Sequence, residues 1–347
     1  MIPVYSDIIR FKGTHYQFGY MQGEQLKDSP ILAHRDRQWR RERKRYFVIN
    51  KQVYQDIIRT CLPAMWDEIE GLADALKWPI DRAIREFGGY YLEYGKSGCS
   101  IFTTDQYMVR NYDNHPQTYE GRYAIFQPTD GGYATIGPSM QITGRTDGMN
   151  EKGLAMGYNF VNRKKSDDGF VCNMIGRIVL ETCANVDEAI ELLKVIPHRH
   201  TFNYVLLDPK GETFIVEASP RRVAVRQGLV CTNHFETLLE ENRYRMDDSE
   251  ARERAILTGQ QDVQDPFMAF SLLNDPDKGV FSRKYGAYAG TLHTAIYFPQ
   301  DMKVGIGLGE NQRALVFDFN HLVNSERVQL KRIIGKLNAN APFINVE

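Results

Sequence analysis

The sequence predicts an α+β protein whose sheets are largely antiparallel. Apolar positions keep helical spacing through much of residues 10–95, whereas the chain from residue 99 onward breaks into short β-like runs. Helices and strands that come in separate blocks favour an α+β arrangement over repeated βαβ units. No glycine-rich phosphate loop follows any predicted strand, which argues against a nucleotide-binding fold.

The helical part has a clear beginning. Thr14 and Gln17 stand three residues apart and can form a capping box, in which each side chain pairs with the other residue's backbone N–H. Farther along, Ile69, Leu72 and Leu76 keep the spacing of one helical face.

The β-like part contains nine runs: residues 99–104, 107–112, 123–127, 154–161, 201–207, 213–218, 223–233, 291–298 and 302–308. The last two flank Pro299-Gln300-Asp301 and predict a hairpin. Between the strands, residues 171–196 have periodic apolar positions, and residues 236–257 form a highly charged segment that we also expect to be helical.

Composition excludes several functions. The 347 residues include 43 basic and 44 acidic side chains, so no overall attraction to nucleic acid or to an anionic membrane is expected. The basic stretch at residues 35–45 is interpreted as a solvated helix face. The opening residues do not resemble a secretory signal, and no apolar run has the length of a membrane span, so we expect a cytoplasmic protein.

The five cysteines are odd in number, widely spread and without a Cys-x-x-Cys pair, so we expect most of them to be reduced and buried: Cys61, Cys99, Cys172, Cys183 and Cys231. Of these, Cys99 lies where the helical part of the sequence ends and the β-like part begins. A cysteine in an apolar strand is usually a small core residue. Here, however, Gly98 leaves its own carbonyl accessible, and attack by the Cys99 thiol would form a thioester that water could cleave.

Such a cut would release residues 1–98 and residues 99–347 as two fragments. It would also give Cys99 a free α-amine, which titrates near about 7.7 to 8.0 and could accept the thiol proton without help from a histidine.

The run after the cysteine predicts a hairpin that turns at Asp105-Gln106. Folding there places Cys99 opposite Tyr112 or, with a shift of one residue, opposite Asp113. A carboxylate in that position would orient the new amine and the thiol.

Arg110 could hold that carboxylate or the substrate. A surface ion pair between the two strands is the alternative interpretation of Arg110 and Asp113.

Two asparagines are candidate donors to an oxyanion. Asn159 shares a strand face with the small residues Ala155 and Gly157, which leave room for a ligand. Asn233 ends an apolar strand, where capping a turn is its commoner role.

Three histidines raise a rival interpretation, a metal hydrolase or a histidine-assisted cysteine enzyme. His198 and His200 lack a carboxylate at metal-ligand spacing, so we interpret them as surface histidines, and His234 is the third candidate. A non-catalytic binding protein that keeps the fold is the second rival.

Taken together, these segments resemble the penicillin acyltransferase-like family of autoproteolytic hydrolases and acyltransferases and, more distantly, choloylglycine hydrolases, penicillin V acylases and acid ceramidases. The similar motifs are residues 13–23, Gly98-Cys99, Arg110 to Asp113, residues 150–160 and residues 232–235. Arg283, in a loosely matched segment, would correspond to a late active-site arginine.

The resemblance implies the four-layer αββα fold of N-terminal-nucleophile (Ntn) hydrolases, with residues 1–98 as a helical pro-segment and 99–347 as the catalytic part of one folded unit. It implies that Cys99 forms an acyl-thioester, that Asn159 and Asn233 hold the oxyanion, and that Arg110 with Asp113 positions the amine and thiol. No metal or other cofactor is required.

The expected substrate is a small acyl amide or acyl-thioester, and the acyl group passes to water or to another amine. Tyr112, Tyr158 and Phe235 could line an apolar acyl pocket, although core packing is the commoner role of such aromatics. The expected partners include neither nucleic acid nor membrane, and homo-oligomerisation is left open.

Overall fold

The structure is a computed structural model that describes residues 1–41, 50–90, 98–161, 166–243, 246–286, 289–324 and 330–339, with the side chains of residues 37–41 excepted. The basic stretch at residues 35–45 therefore lies mostly outside the described side chains. Its first arginine is not solvated: Arg35 donates a 3.2 Å hydrogen bond to Glu86 and lies 3.7 Å from Glu120.

The helices of the described residues are α1 (His15–Leu26), α2 (Pro30–Arg41), α3 (Lys51–Cys61), α4 (Ala64–Leu76), α5 (Ile80–Phe87), α6 (Cys172–Thr182), α7 (Val186–Val195), α8 (Asp247–Gly259), α9 (Pro266–Asn274) and α10 (Phe319–Asn324). The predicted capping box at the start of α1 is confirmed: Gln17 N–H donates to Thr14 Oγ1 at 3.2 Å, and Thr14 N–H donates to Gln17 Oε1 at 3.0 Å. None of these helices combines the length and the apolar character needed to cross a membrane.

The strands of the described residues are β1 (Ile2–Gly13), β2 (Ser100–Thr103), β3 (Met108–Asn114), β4 (Arg122–Pro128), β5 (Thr135–Met140), β6 (Gly144–Arg145), β7 (Asp147–Asn150), β8 (Ala155–Phe160), β9 (Phe202–Leu207), β10 (Thr213–Ala218), β11 (Val223–Arg226), β12 (Val230–Cys231), β13 (Arg283–Lys284), β14 (Ala289–Phe298), β15 (Lys303–Leu308), β16 (Leu315–Asp318) and β17 (Arg332–Leu337).

These strands form two sheets. Sheet 1 has the order β11-β10-β9-β8-β7-β5-β4-β1-β17, with β6 beside β5, and sheet 2 has the order β12-β2-β3-β14-β15-β16, with β13 beside β14. All neighbouring strands are antiparallel except β1 and β4. The predicted antiparallel character is thus confirmed.

The sheets lie face to face between helices. Helices α6 and α7 pack on sheet 1, while α8 and α9 pack on sheet 2. The two sheets approach closely at Gly157 of β8, where an added Cβ would lie 2.9 Å from Ile101 Cδ1 and 3.1 Å from Arg110 Cδ. Only glycine fits this approach without displacing a neighbour. The four-layer αββα arrangement is confirmed.

Four expected elements need correction. Residues 10–13 belong to β1 and not to a helix, and residues 223–233 form two strands in different sheets, β11 and β12. Residues 171–196 contain two helices, because Asn185 caps a new one by accepting a 3.0 Å hydrogen bond from Glu188 N–H. In the predicted helix at residues 236–257, regular α-helix begins only at Asp247.

A cluster of buried charges joins the N-terminal helices α1 and α4 to helix α6. Arg177 of α6 donates to Glu68 of α4 at 2.7 Å and pairs with Glu181, while the His15 ring lies 2.9 Å from Glu181 and 2.7 Å from Asp130. Burial lowers the pKa of His15, but the hydrogen bond and charge of Glu181 outweigh it and raise that pKa to about 9. Residues on both sides of position 98 therefore share one ionic network.

Candidate active site

The hairpin formed by β2 and β3 carries the candidate nucleophile. It turns at Asp105-Gln106, where Thr104 N–H donates to Tyr107 O at 2.9 Å. Ser100 pairs with Asn111 and Ile101 with Arg110, a register that continues to Cys99 opposite Tyr112. The first of the two predicted registers is therefore the observed one.

Asp113 nevertheless reaches Cys99 through its backbone. The Asp113 N–H lies 3.4 Å from Cys99 Sγ, and the thiol can donate to Asp113 O at 3.6 Å. Arg110 Nη2 is 3.7 Å from the same sulfur. With only 1% of Cys99 exposed, the sulfur lies in a closed, polar environment.

Arg110 is fully buried and firmly held. Its guanidinium donates to Asp147 Oδ1 at 2.9 Å and to Tyr158 O at 2.6 Å, and it lies 5.0 and 4.8 Å from the ring centroids of Tyr112 and Tyr158. Burial lowers the pKa of Arg110, but the charges of Asp147 and Cys99 hold it above its usual value. Arg110 is therefore a fixed positive charge beside the sulfur.

Asp147 is in turn held by a set of donors. His293 Nε2 lies 3.1 Å away, and the hydroxyls of Tyr297 and Thr146 donate at 2.5 and 2.6 Å. Burial raises the pKa of Asp147, yet the charges of His293 and Arg110 hold it below its usual range. This carboxylate keeps Arg110 oriented.

The Asp113 carboxyl lies next to the predicted cleavage point. It accepts a 2.7 Å hydrogen bond from the Thr291 hydroxyl, and an added Cβ on Gly98 would lie 3.3 Å from its Oδ2 atom. Burial raises the pKa of Asp113 to about 7, although the charge of Arg252 and the Thr291 hydrogen bond oppose this shift. The carboxyl can therefore gain or lose a proton near neutral pH.

Arg252 of α8 is the functional candidate that sequence reasoning missed. Its Nη1 donates to Cys99 O and to the Ser100 hydroxyl, both at 2.7 Å, and its Nη2 donates to Asn233 Oδ1 at 2.8 Å. The sequence indicated only a highly charged, helical segment at residues 236–257. The available signal was that Arg252 shares a helical face with Ile256, an apolar residue of the same helix.

Each of the two candidate asparagines donates to a backbone carbonyl within two residues of the other. Asn159 Nδ2 donates to Cys231 O at 2.9 Å, and Asn233 Nδ2 donates to Phe160 O at 2.7 Å. An amide NH₂ group has two protons, and the bond to the carbonyl uses one of them in each side chain. Asn233 is linked to the nucleophile through Arg252.

Arg283 is not joined to this group by any described contact. Its side chain is 45% exposed and donates to Glu310 at 2.6 Å. An active-site role for Arg283 stays a prediction, whereas the arginine that contacts Cys99 O and Asn233 is Arg252.

The three aromatic residues predicted to line an acyl pocket are packed in the interior. Tyr112 stacks on His293 at 5.2 Å, Tyr158 meets the Phe202 ring edge-on, and Phe235 is fully buried. Tyr112 and Tyr158 do lie near the nucleophile, since they flank Arg110. Their role in substrate binding stays a prediction.

The interpretation of His198 as a surface histidine is wrong, because this residue is buried. His234 is buried as well. His198 Nε2 lies 2.8 Å from Leu193 O, and burial lowers the pKa of His198 to about 4. His200 is half-buried.

No disulfide joins any of the five cysteines, all of which the structure describes; Cys61 is half-buried and the other four are buried, as expected.

A large part of the chain matches a known protein family. Residues 102–313 match the family described as "AAT: Acyl-coenzyme A:6-aminopenicillanic acid acyl-transferase". No curated protein matches the chain in sequence.

Solved structures similar to this chain include penicillin V acylase from Agrobacterium tumefaciens, with 16% identity over 64% of this chain and 86% of that chain and a TM-score of 0.45. A mutant of conjugated bile acid hydrolase from Clostridium perfringens has 16% identity over 71% and 99%, with a TM-score of 0.44. An N-acylethanolamine-hydrolyzing acid amidase ortholog from Caenorhabditis elegans has 12% identity over 58% and 93%, with a TM-score of 0.37. The family match spans more than half of the sequence, and this chain belongs to the acyl-coenzyme A:6-aminopenicillanic acid acyl-transferase family.

Proposed function

We propose that this protein is an autoprocessed cysteine hydrolase that cleaves linear, non-peptide amides. In this proposal Cys99 is both the residue before which the chain is cut and the nucleophile that carries the acyl group. The main support is the position of Cys99 Sγ, which lies 3.4 Å from Asp113 N and 3.7 Å from Arg110 Nη2, directly after Gly98.

Processing begins when the sulfur attacks the carbonyl carbon of Gly98. The peptide bond to Cys99 breaks, the α-nitrogen takes up a proton, and Gly98 becomes a thioester that water hydrolyses to a free carboxyl group. The carboxyl of Asp113, whose pKa is about 7, can shuttle the proton at this position. The products are residues 1–98 and residues 99–347.

Turnover uses the same sulfur. The new α-amine accepts the thiol proton, the thiolate attacks the substrate's amide carbonyl, and the departing amine takes that proton. Water then hydrolyses the acyl-thioester and regenerates the thiol. The guanidinium of Arg110 stabilises the thiolate by its charge, and the second amide protons of Asn159 and Asn233 are the proposed oxyanion donors.

We propose further that the two fragments stay together as one folded unit. The first includes strand β1 as well as helices, and β1 lies inside sheet 1 between β17 and β4. Its helices contribute His15 and Glu68 to the ionic network around Arg177. Separating the fragments would expose unpaired strand edges and buried charges to solvent.

Acyl transfer is the second candidate function. It is favoured by the description of the matching family as an acyl-transferase. Both reactions share the acyl-thioester, and they differ in whether water or an amine accepts the acyl group.

The test compares the wild-type chain with Cys99→Ala and with a control, Cys61→Ala, whose thiol is half-buried in α3. Intact-mass measurement during incubation should detect fragments ending at Gly98 and beginning at Cys99 in wild type and control only. A panel of N-acyl amides, bile-salt conjugates, penicillin V and acyl-thioesters, with and without an acceptor amine, would then separate hydrolysis from transfer. Cleavage or amidase activity that survives in Cys99→Ala would refute the mechanism.

A further inference from the structure

One imidazole and two carboxylates form a cluster beside the site, outside the machinery described above. His234 and Glu236 lie on the turn after β12, and Glu253 lies on α8. One ligand atom from each residue lies within 4.8 Å of the other two, and His234 Nε2 is 3.5 Å from Glu253 Oε2. We propose that these three side chains bind a zinc ion that supports the active site without taking part in the reaction.

The hydrogen bonds around His234 prepare its Nε2 atom for a metal. The Ser249 hydroxyl accepts from Asn233 N–H at 2.7 Å and donates to Thr232 Oγ1 at 2.9 Å. With its proton used in this way, the hydroxyl can only accept from His234 Nδ1, 2.9 Å away. Thr232 Oγ1 also lies 3.2 Å from Nδ1, so two hydroxyl groups hold this nitrogen, and Nε2, which faces Glu253, is the ring atom placed to bind the ion.

The backbone that carries two of the ligands is also fixed. The buried Glu217 carboxylate accepts hydrogen bonds from the backbone N–H groups of Glu236, Thr237 and Leu238 at 2.8, 3.0 and 2.7 Å. Since the turn is already ordered by this carboxylate, ion binding would cost little further conformational entropy.

The charge balance identifies the stronger ligands. Arg226 pairs with Glu217 at 2.9 Å and also with Glu236 Oε1, so it competes for one oxygen of Glu236 and leaves the other for the ion. His234 and Glu253 are therefore the principal ligands. Their side chains are 9% and 20% exposed, and that of Glu236 is 44% exposed, so an ion can enter from solvent.

The donor types favour zinc over other common divalent ions. An imidazole nitrogen with carboxylate oxygens suits Zn²⁺, whereas Mg²⁺ and Ca²⁺ prefer oxygen ligands alone.

A bound ion would connect two elements of the active site. His234 follows Asn233 in sequence, and Glu253 follows Arg252, so an ion shared by His234 and Glu253 would tie the turn after β12 to α8. These are the elements joined by the 2.8 Å bond from Arg252 to Asn233. By holding these two elements together, the ion would stabilise the proposed active site.

The experiment is a calorimetric titration of the full-length, chelator-stripped protein with zinc chloride, repeated in Cys99→Ala to remove the reactive thiol. We expect one zinc per chain in both, with a rise in Tm of a few degrees. Glu253→Gln should weaken binding at least tenfold. The matched control is Glu250→Gln, at a half-buried position of the same helix whose side chain is 40% exposed, and this variant should bind zinc as the wild type does.

His234→Gln provides a second test, because glutamine can still hydrogen bond to Ser249 but lacks the imidazole. Circular dichroism of the metal-free variants shows whether they fold, and at least tenfold weaker binding by a folded variant supports the site. The proposal is overturned if wild type shows no saturable binding, if binding disappears in Cys99→Ala, or if folded Glu253→Gln or His234→Gln binds zinc as tightly as Glu250→Gln. None of these readouts depends on amidase activity, so they are independent of the proposed function.

Discussion

The guanidinium of Arg252 fixes the side-chain amide of Asn233, with Nη2 2.8 Å from Oδ1. Because Oδ1 accepts this bond, the amide NH₂ group points the other way, toward Phe160 O. The same guanidinium holds Cys99 O at 2.7 Å. One side chain thus sets the relative positions of the nucleophile and a proposed oxyanion donor.

We therefore expect Arg252→Lys to lower kcat by about 100-fold, since lysine lacks the fork that contacts both residues. The control is Arg254→Lys, two residues along α8, whose side chain is 67% exposed. Initial rates with the best amide of the panel measure the effect. If both variants retain wild-type kcat, Arg252 does not position the site.

Asp113 should control the pH dependence of self-cleavage. Its pKa is raised to about 7, chiefly by burial, so the carboxylate needed as a proton acceptor increases as the pH rises through 7. We expect the cleavage rate to rise over that range in wild type, and to be about 100-fold lower and without this inflection in Asp113→Asn. Mass spectrometry of samples incubated from pH 5.5 to 8.5 measures the rate. Asp105→Asn, in the exposed turn of the same hairpin, should behave as wild type.

Gly157 should be intolerant of a side chain. An added Cβ would lie 2.9 Å from Ile101 Cδ1 and 3.1 Å from Arg110 Cδ, so Gly157→Ala should displace these side chains and lower the free energy of unfolding by about 1 to 3 kcal/mol. Urea denaturation measures this change. At Gly286 no heavy atom lies within 4 Å of an added Cβ, and Gly286→Ala should be nearly neutral. Equal stability of the two variants would contradict the close approach of the sheets.

His15 should make the protein less stable at alkaline pH. Its pKa is raised from 6.5 to about 9, so its contribution to stability is complete below pH 6.5 and is lost as the pH rises through 9. The size of this contribution is on the order of 3 kcal/mol. We expect the Tm of wild type to fall between pH 6.5 and 9.5, and that slope to be smaller in His15→Gln.

Differential scanning fluorimetry across this range provides the measurement, with surface variant His321→Gln as the control. An unchanged slope in His15→Gln would mean that another group causes the alkaline loss of stability.

Local features were predictable from the sequence because their partners lie only a few residues away. The capping box of Thr14 and Gln17 and the hairpin turn at Asp105-Gln106 both depend on hydrogen bonds that span three residues. The hairpin brought Asp113 near Cys99, and family resemblance supplied the four-layer arrangement. The sequence alone was thus sufficient for the hairpin that carries Cys99 and Asp113.

Tertiary structure decided the features that depend on distant partners. Strand β1 is held by β4 and β17, each more than 100 residues away, and residues 223–233 divide between two sheets that local β propensity cannot tell apart. The choice of Arg252 over Arg283 as the arginine in contact with Cys99 O has the same origin. Local pattern shows that a residue is charged and helical, whereas the packing of α8 on β2 and β12 determines which charge is buried and what it contacts.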